Sequence, residues 1–102
     1  MDKTMEIINV ILDCQGSSTQ CWDMAIATAK KPSDMNAYRN AAMECDQIYD
    51  EAVEALQNGE YDKALTAMQV ASDIERFCGD NQHALRALGA LDEYIMANHQ
   101  FN

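Results

Sequence analysis

The stretch Ala41–Gly79, AAMECDQIYDEAVEALQNGEYDKALTAMQVASDIERFCG, decides how the whole chain is read. Apolar and small residues recur in it at steps of three and four, the spacing of one helix face. Cys45, Tyr49, Ala52 and Leu56 form the first stripe and continue a series begun by Met35, Tyr38 and Ala42, with Ile48 and Val53 widening it. Asn58-Gly59 then breaks the period with turn chemistry, and Glu60-Tyr61-Asp62 opens the next helix. On that helix Leu65, Met68, Ser72 and the Ile74/Phe77 pair are expected to face inward. The pattern predicts two antiparallel helices joined by a tight turn. Counted with Asp80, the stretch holds ten acids (Glu44, Asp46, Asp50, Glu51, Glu54, Glu60, Asp62, Asp73, Glu75, Asp80) against the bases Lys63 and Arg76.

Upstream, Ser33 is placed to cap the long third helix, Asp34 to Gln57, with Asp34 favourable in its first turn. Pro32 must end the helix before it. That second helix starts at Ser17-Ser18, where Ser17 and Gln20 fit a capping box. Its inner stripe is Trp22, Ile26 and Ala29, and Lys30-Lys31 complement the dipole of its last turn. The first helix runs from Lys3 to Cys14, with Asp2 as cap and Gly16 as left-handed stop. Met5, Ile8 and Leu12 share its stripe, with Ile7 and Ile11 beside them. Downstream, Gly79 stops the fourth helix and Asp80 or Asn81 caps a fifth. Its stripe is Leu85, Leu88, Leu91 and Ile95, and Gly89 is read as permitting a close approach. Residues His99 to Asn102 are expected to fray. The fold class is therefore all-α: one helical domain, 1–102, a compact bundle of five helices around a central antiparallel helical hairpin.

The totals bound the function. The chain has 102 residues, 48% of them hydrophobic, which suits one modest core and leaves little room for a deep cleft. No apolar run is long enough to span a membrane, and Asp2, Glu6 and Asn9 spoil a leader peptide. The expected location is the cytoplasm. Net charge is −10, from seven basic and seventeen acidic side chains. Such a surface repels nucleic acid, whose phosphates are met by Lys and Arg, and favours a basic partner. Lys30-Lys31 is too small a patch to alter that.

Part of the central stretch resembles a tetratricopeptide repeat. The run Asn58-Gly59-Glu60-Tyr61-Asp62-Lys63-Ala64-Leu65 is similar to the turn and second-helix start of that family. Met68 and Ala71 fall at its next signature positions, and Ile48 and Ala52 at the bulky and small positions of its first helix. The resemblance covers one helical hairpin, about residues 45–78. Arg76 stands where the family has its closing proline, and no second copy follows at the repeat period. Repeat arrays need several stacked units, so a peptide-binding concave surface does not carry over. In size, acidity and lack of motifs the chain also resembles small phage-encoded anti-defence inhibitors of the anti-CRISPR and anti-restriction type. That resemblance implies action in a host cell's cytoplasm.

Asp46, Asp50 and Glu54, at i, i+4 and i+8, stack on one helix face, flanked by Glu44 and Glu51 and extended by Glu60 and Asp62. Like charges at i,i+4 cost roughly 0.2–0.5 kcal/mol per pair, a cost that alternate Lys or Gln would remove. These seven residues form the candidate partner-binding surface. The bland reading, a solvated acidic helix, needs no partner at all.

No calcium-loop spacing, di-iron Glu-x-x-His pair or clustered Cys/His zinc signature occurs. Cys78 and His83 are five apart, with no second close pair to join them. No metal, cofactor or catalytic residue is assigned, and the chain is read as a non-enzyme. Cys14, Cys21, Cys45 and Cys78 are read as reduced thiols, a Cys14–Cys21 bridge being the alternative. The expected function is a binding inhibitor that blocks the basic nucleic-acid-binding surface of a protein or nucleoprotein complex. Direct nucleic-acid and membrane contacts are not expected, and the state is monomer or homodimer. The alternative is a helical adaptor or assembly subunit using the apolar faces of the first and last helices.

Overall fold

The computed structural model describes residues 3–98. They form four α-helices: α1 (Lys3–Thr28), α2 (Pro32–Gln57), α3 (Tyr61–Glu75) and α4 (Gln82–Asn98), with a short 3-10 turn, Arg76–Cys78, after α3. The described residues contain no strand. The all-helical class stands, but the five expected helices are four.

The difference lies at Gly16. Lys3–Cys14 and the Ser17 segment are one continuous helix, and Gly16 does not adopt a left-handed conformation. The reason is in the buried stripe. Ile7, Ile11, Cys14, Ser18 and Trp22 follow one another at steps of four, three, four and four, straight across the glycine. A glycine in a helix interior costs about 1 kcal/mol against alanine, whereas burying one large apolar side chain such as Trp22 contributes about 2 kcal/mol or more. The Ser17–Gln20 capping box therefore does not form. Ser18 is buried instead, its hydroxyl 3.9 Å from Cys45 Sγ. The stripe is also rotated from the expected one: Met5 and Leu12 are exposed, and Ile7 joins Ile8 and Ile11 inside. The proposed Asp2 cap lies outside the described residues, as does the expected fraying from His99 to Asn102.

α1 ends at Thr28, whose hydroxyl donates back to the Met24 carbonyl at 2.9 Å. Lys30 and Lys31 thus lie beyond the helix and do not form its last turn. Lys31 is extended, as the residue before proline must be. Pro32 takes the first helical position, so Ser33 sits inside α2 and provides no cap. At the far end of α2 the Glu60 N–H returns to the Ala55 carbonyl at 2.8 Å and the Gly59 N–H to the Leu56 carbonyl at 3.1 Å. This is a Schellman closure with Gly59 left-handed at φ 75°. Gly79, also left-handed at φ 92°, ends the 3-10 turn with its N–H on the Arg76 carbonyl at 3.0 Å. Of the two expected caps, Asn81 holds the cap position, its carbonyl accepting the Leu85 N–H at 3.2 Å, while Asp80 Oδ1 accepts the Gln82 N–H at 3.0 Å.

α1 packs against α2 and α4, and α3 packs against the same two helices. Thr4 meets Tyr94 (2.8 Å), Cys14 meets Arg86 (3.3 Å) and Cys21 meets Cys78 (3.4 Å), so α1 runs opposite to α4. The centre of the core is Ile11, Tyr49, Leu56, Met68 and Leu91, surrounded by alanines 52, 64, 71, 84 and 87. Small residues dominate because the helices approach closely. Leu85, expected inside, is exposed in consequence, and so is Phe77, which tilts against Tyr38 at 4.9 Å. No residue from Asp23 to Glu44 is buried. The ends of α1 and α2 that meet at Pro32 therefore reach past the core, consistent with Cα extents of 53 × 19 × 17 Å.

Candidate functional site

The buried residues of α2 are Cys45, Tyr49, Ala52, Ala55 and Leu56. At about 100° per residue, the five acids from Glu44 to Glu54 fall on the opposite side, within an arc of about 160°, with Asp34 apart from them in the first turn. All seven carboxylates singled out from the sequence are exposed: Glu44, Asp46, Asp50, Glu51 and Glu54 on α2, Glu60 in the turn and Asp62 at the start of α3. The same stripe that buries Tyr49 thus fixes where the charges point.

Their neighbours barely offset the charge. Among the described residues only Glu60 of the seven has a cation within 4 Å, Lys63 at 3.4 Å. Both members of that pair are largely solvated, so it contributes little. Gln15, from α1, donates one side-chain amide to Asp46 Oδ1 (2.8 Å) and Asp50 Oδ1 (3.0 Å). That neutral bridge holds the two carboxylates side by side without cancelling either. At the lower end, Glu51, Glu54, Glu60 and Lys63 rim a depression of about 290 Å³. The surface can offer a row of hydrogen-bond acceptors to a cationic partner.

Glu75, which the composition of the stretch places with the other acids, is not on this surface. It is fully buried in α3. Its Oε2 accepts the Tyr49 hydroxyl at 2.6 Å and its Oε1 the Ala84 N–H at 3.0 Å. It therefore ties α2, α3 and the first turn of α4 together. Burial first, and then its bond to Glu75, raise the Tyr49 phenol above its usual value. Burial followed by the nearby Glu75 charge pushes the Cys45 thiol up to about 11, against a smaller opposing contribution from Ser18. The sequence did contain a signal for this. Met68, Ala71, Ser72 and Glu75 are spaced three and four apart, so Glu75 continues the buried stripe.

All four cysteines are free. A Cys14–Cys21 bridge is ruled out by the continuity of α1, since seven residues of one helix span about 10 Å and a disulfide needs Cα atoms within about 7 Å. Cys14 faces Arg86, and Cys21 faces Cys78.

No protein-family model, curated protein or solved structure matches this chain.

Proposed function

We propose that the chain is a non-enzymatic binding protein that lays the acidic face of α2 on a basic, nucleic-acid-binding surface of a partner protein or complex, and so blocks it. In this reading α2 and α3 form an antiparallel hairpin, and Glu44, Asp46, Asp50, Glu51 and Glu54 continue through Glu60 and Asp62 around its turn. The observation that carries the proposal is the absence of countercharge, with six of the seven carboxylates lacking a cationic neighbour among the described residues. Carboxylates at i and i+4 repeat about every 6 Å along the axis. A rod of regularly spaced negative charge can occupy a groove lined with Lys and Arg in place of a phosphate backbone. Such an encounter is fast at low salt and weakens steeply as salt rises.

The test is competition. Nucleic-acid-binding effector complexes, such as bacterial defence nucleases, are loaded with labelled DNA and titrated with the protein. Release of DNA at near-stoichiometric protein supports the reading, provided the Asp46→Lys/Asp50→Lys/Glu54→Lys variant, with unchanged helicity, fails to release it. A variant as effective as the parent rules out this face, as does a complex in which the face meets only water.

A second reading rests on Met5, Val10 and Leu12 of α1 and Leu85 and Met96 of α4, all exposed. In that reading the chain is an assembly subunit that joins a partner helix or a second copy through these apolar side chains. Its association is insensitive to salt and shows up as concentration-dependent mass in sizing experiments.

A further inference from the structure

At one end of the molecule α1 meets the connection between α3 and α4, and four metal-ligating side chains converge there. Cys21 comes from α1, Cys78 ends the 3-10 turn, Asp80 lies just before α4 and His83 in its first turn. All four are half-buried. Cys21 Sγ lies 3.4 Å from Cys78 Sγ, and His83 Nε2 lies 3.7 Å from Asp80 Oδ2. The ligand atoms of Cys21, Asp80 and His83 all fall within 4.8 Å of one another. The sequence alone shows only the local Cys78-x-Asp80-x-x-His83 spacing. The fold brings in Cys21, 57 residues upstream of Cys78.

Ordinary packing accounts for Cys78, whose thiol donates to the Glu75 carbonyl at 3.1 Å, but not for the other three side chains. His83 Nε2 is sealed from solvent and has no hydrogen-bond partner. Its 3.7 Å separation from Asp80 is too long for an N–H···O bond. Asp80 Oδ1 is already engaged by the Gln82 N–H, which holds Oδ2 toward the cluster. The two sulfurs are more than 1 Å too far apart for a disulfide, whose S–S length is about 2.05 Å. Around one tetrahedral zinc ion, an imidazole nitrogen and a carboxylate oxygen stand about 3.4 Å apart. The observed 3.7 Å lies within a few tenths of an ångström of that separation.

The geometry points to a binding site for a zinc-class divalent ion, with Cys21, Asp80 and His83 as its three protein ligands and a fourth position left for water. A thiolate and an imidazole select such an ion over calcium or magnesium, which take oxygen ligands. Binding displaces the Cys21 thiol proton into solvent and leaves a thiolate and a carboxylate around the dication. The ion staples the C-terminal half of α1 to the α3–α4 connection, which no covalent link otherwise joins. Because the unfolded chain holds these ligands far apart, binding favours the fold.

The experiment uses the reduced, chelator-treated full chain titrated with cobalt(II). Expected are thiolate-to-cobalt charge transfer in the near ultraviolet and intense tetrahedral bands in the visible. Both saturate at one ion per chain and are erased by zinc, and zinc raises the thermal midpoint. Cys21→Ser and His83→Ala lose the signal or weaken binding at least tenfold, while Cys14→Ala keeps it. Asp80→Asn keeps an acceptor for the Gln82 N–H and weakens binding, which guards against variants that fail to fold. Far-ultraviolet circular dichroism of each metal-free variant confirms the comparison. Three results overturn the assignment: no charge transfer at submillimolar cobalt, a signal that survives Cys21→Ser, or a reduced protein that takes up no metal while air oxidation joins Cys21 to Cys78.

Discussion

Glu75 shows how much one residue can organise. Its carboxylate is fully buried and holds a hydroxyl from α2 and a backbone N–H from α4. Removing it leaves both donors without a partner, at about 1–3 kcal/mol each. Glu75→Ala is therefore expected to lower stability by about 3 kcal/mol or more in urea denaturation. Glu75→Gln, which keeps an acceptor for Ala84 and can donate to the Tyr49 oxygen, is expected to cost clearly less. Equal losses would show that the cavity, not the bonds, dominates. The same cluster sets an alkaline limit. Folding raises the Cys45 thiol from 9.0 to about 11, so between those values the unfolded chain has lost a proton that the folded chain keeps. This contribution is complete below pH 9, declines as pH rises and is gone above about 11. Tyr49, also raised, acts in the same direction. The urea midpoint should fall steadily above pH 9, with a shallower slope in Cys45→Ala. A flat profile would contradict the buried, neutral thiol.

The helix boundaries that could be read from sequence are those set by local chemistry. Asn58-Gly59 and Gly79 each supply a left-handed residue, Pro32 forces the break before it, and Asp80 accepts the first N–H of α4. These need no knowledge of the rest of the fold. Gly16-Ser17-Ser18 carries equally good stop-and-start chemistry, and packing against α2 and α4 overrides it. The expected α4 stripe runs through Leu85, Leu88, Leu91 and Ile95, and that of α3 through Leu65, Met68 and Ser72, whereas the close approach of the helices also puts Ala64, Ala71, Ala84 and Ala87 on the centre line. The exposed acids were legible because they lie opposite a clear buried stripe. The Cys21 cluster was not, because only the fold joins its parts. The glycines test the boundaries directly. A Cβ at Gly16 or Gly89 meets nothing within 4 Å, so alanine at either should stabilise by about 0.5–1 kcal/mol. At Gly79, with φ at 92°, alanine should destabilise by about 1–2 kcal/mol. If Gly16→Ala lowered the thermal midpoint, α1 would have to be two helices after all.

Over the whole molecule the charge is unbalanced. Net charge is −10, and among the described residues the only ion-paired carboxylates are Glu60 and Asp80, the latter against a histidine. None of α2's last turn is basic, although cations there would complement the helix dipole. Glu54 opposes that dipole and repels Asp50 and Glu51, and none of the hydrogen bonds of the described residues involves its side chain. Glu54→Lys should therefore stabilise the isolated chain. It replaces two like-charge pairs with two attractive ones in the favourable acid-before-base order, a gain of about 1 kcal/mol at low salt. The gain should shrink between about 20 mM and about 0.5 M salt, where surface charges are screened. The same substitution should weaken a charge-driven complex. Urea denaturation of parent and variant at the two salt levels, set beside DNA-release titrations, measures both effects. A variant that is more stable but a poorer competitor would mean that the acids are retained at a cost in stability for what they meet outside the molecule. A variant that is more stable and equally competitive would reduce the face to a solvated helix.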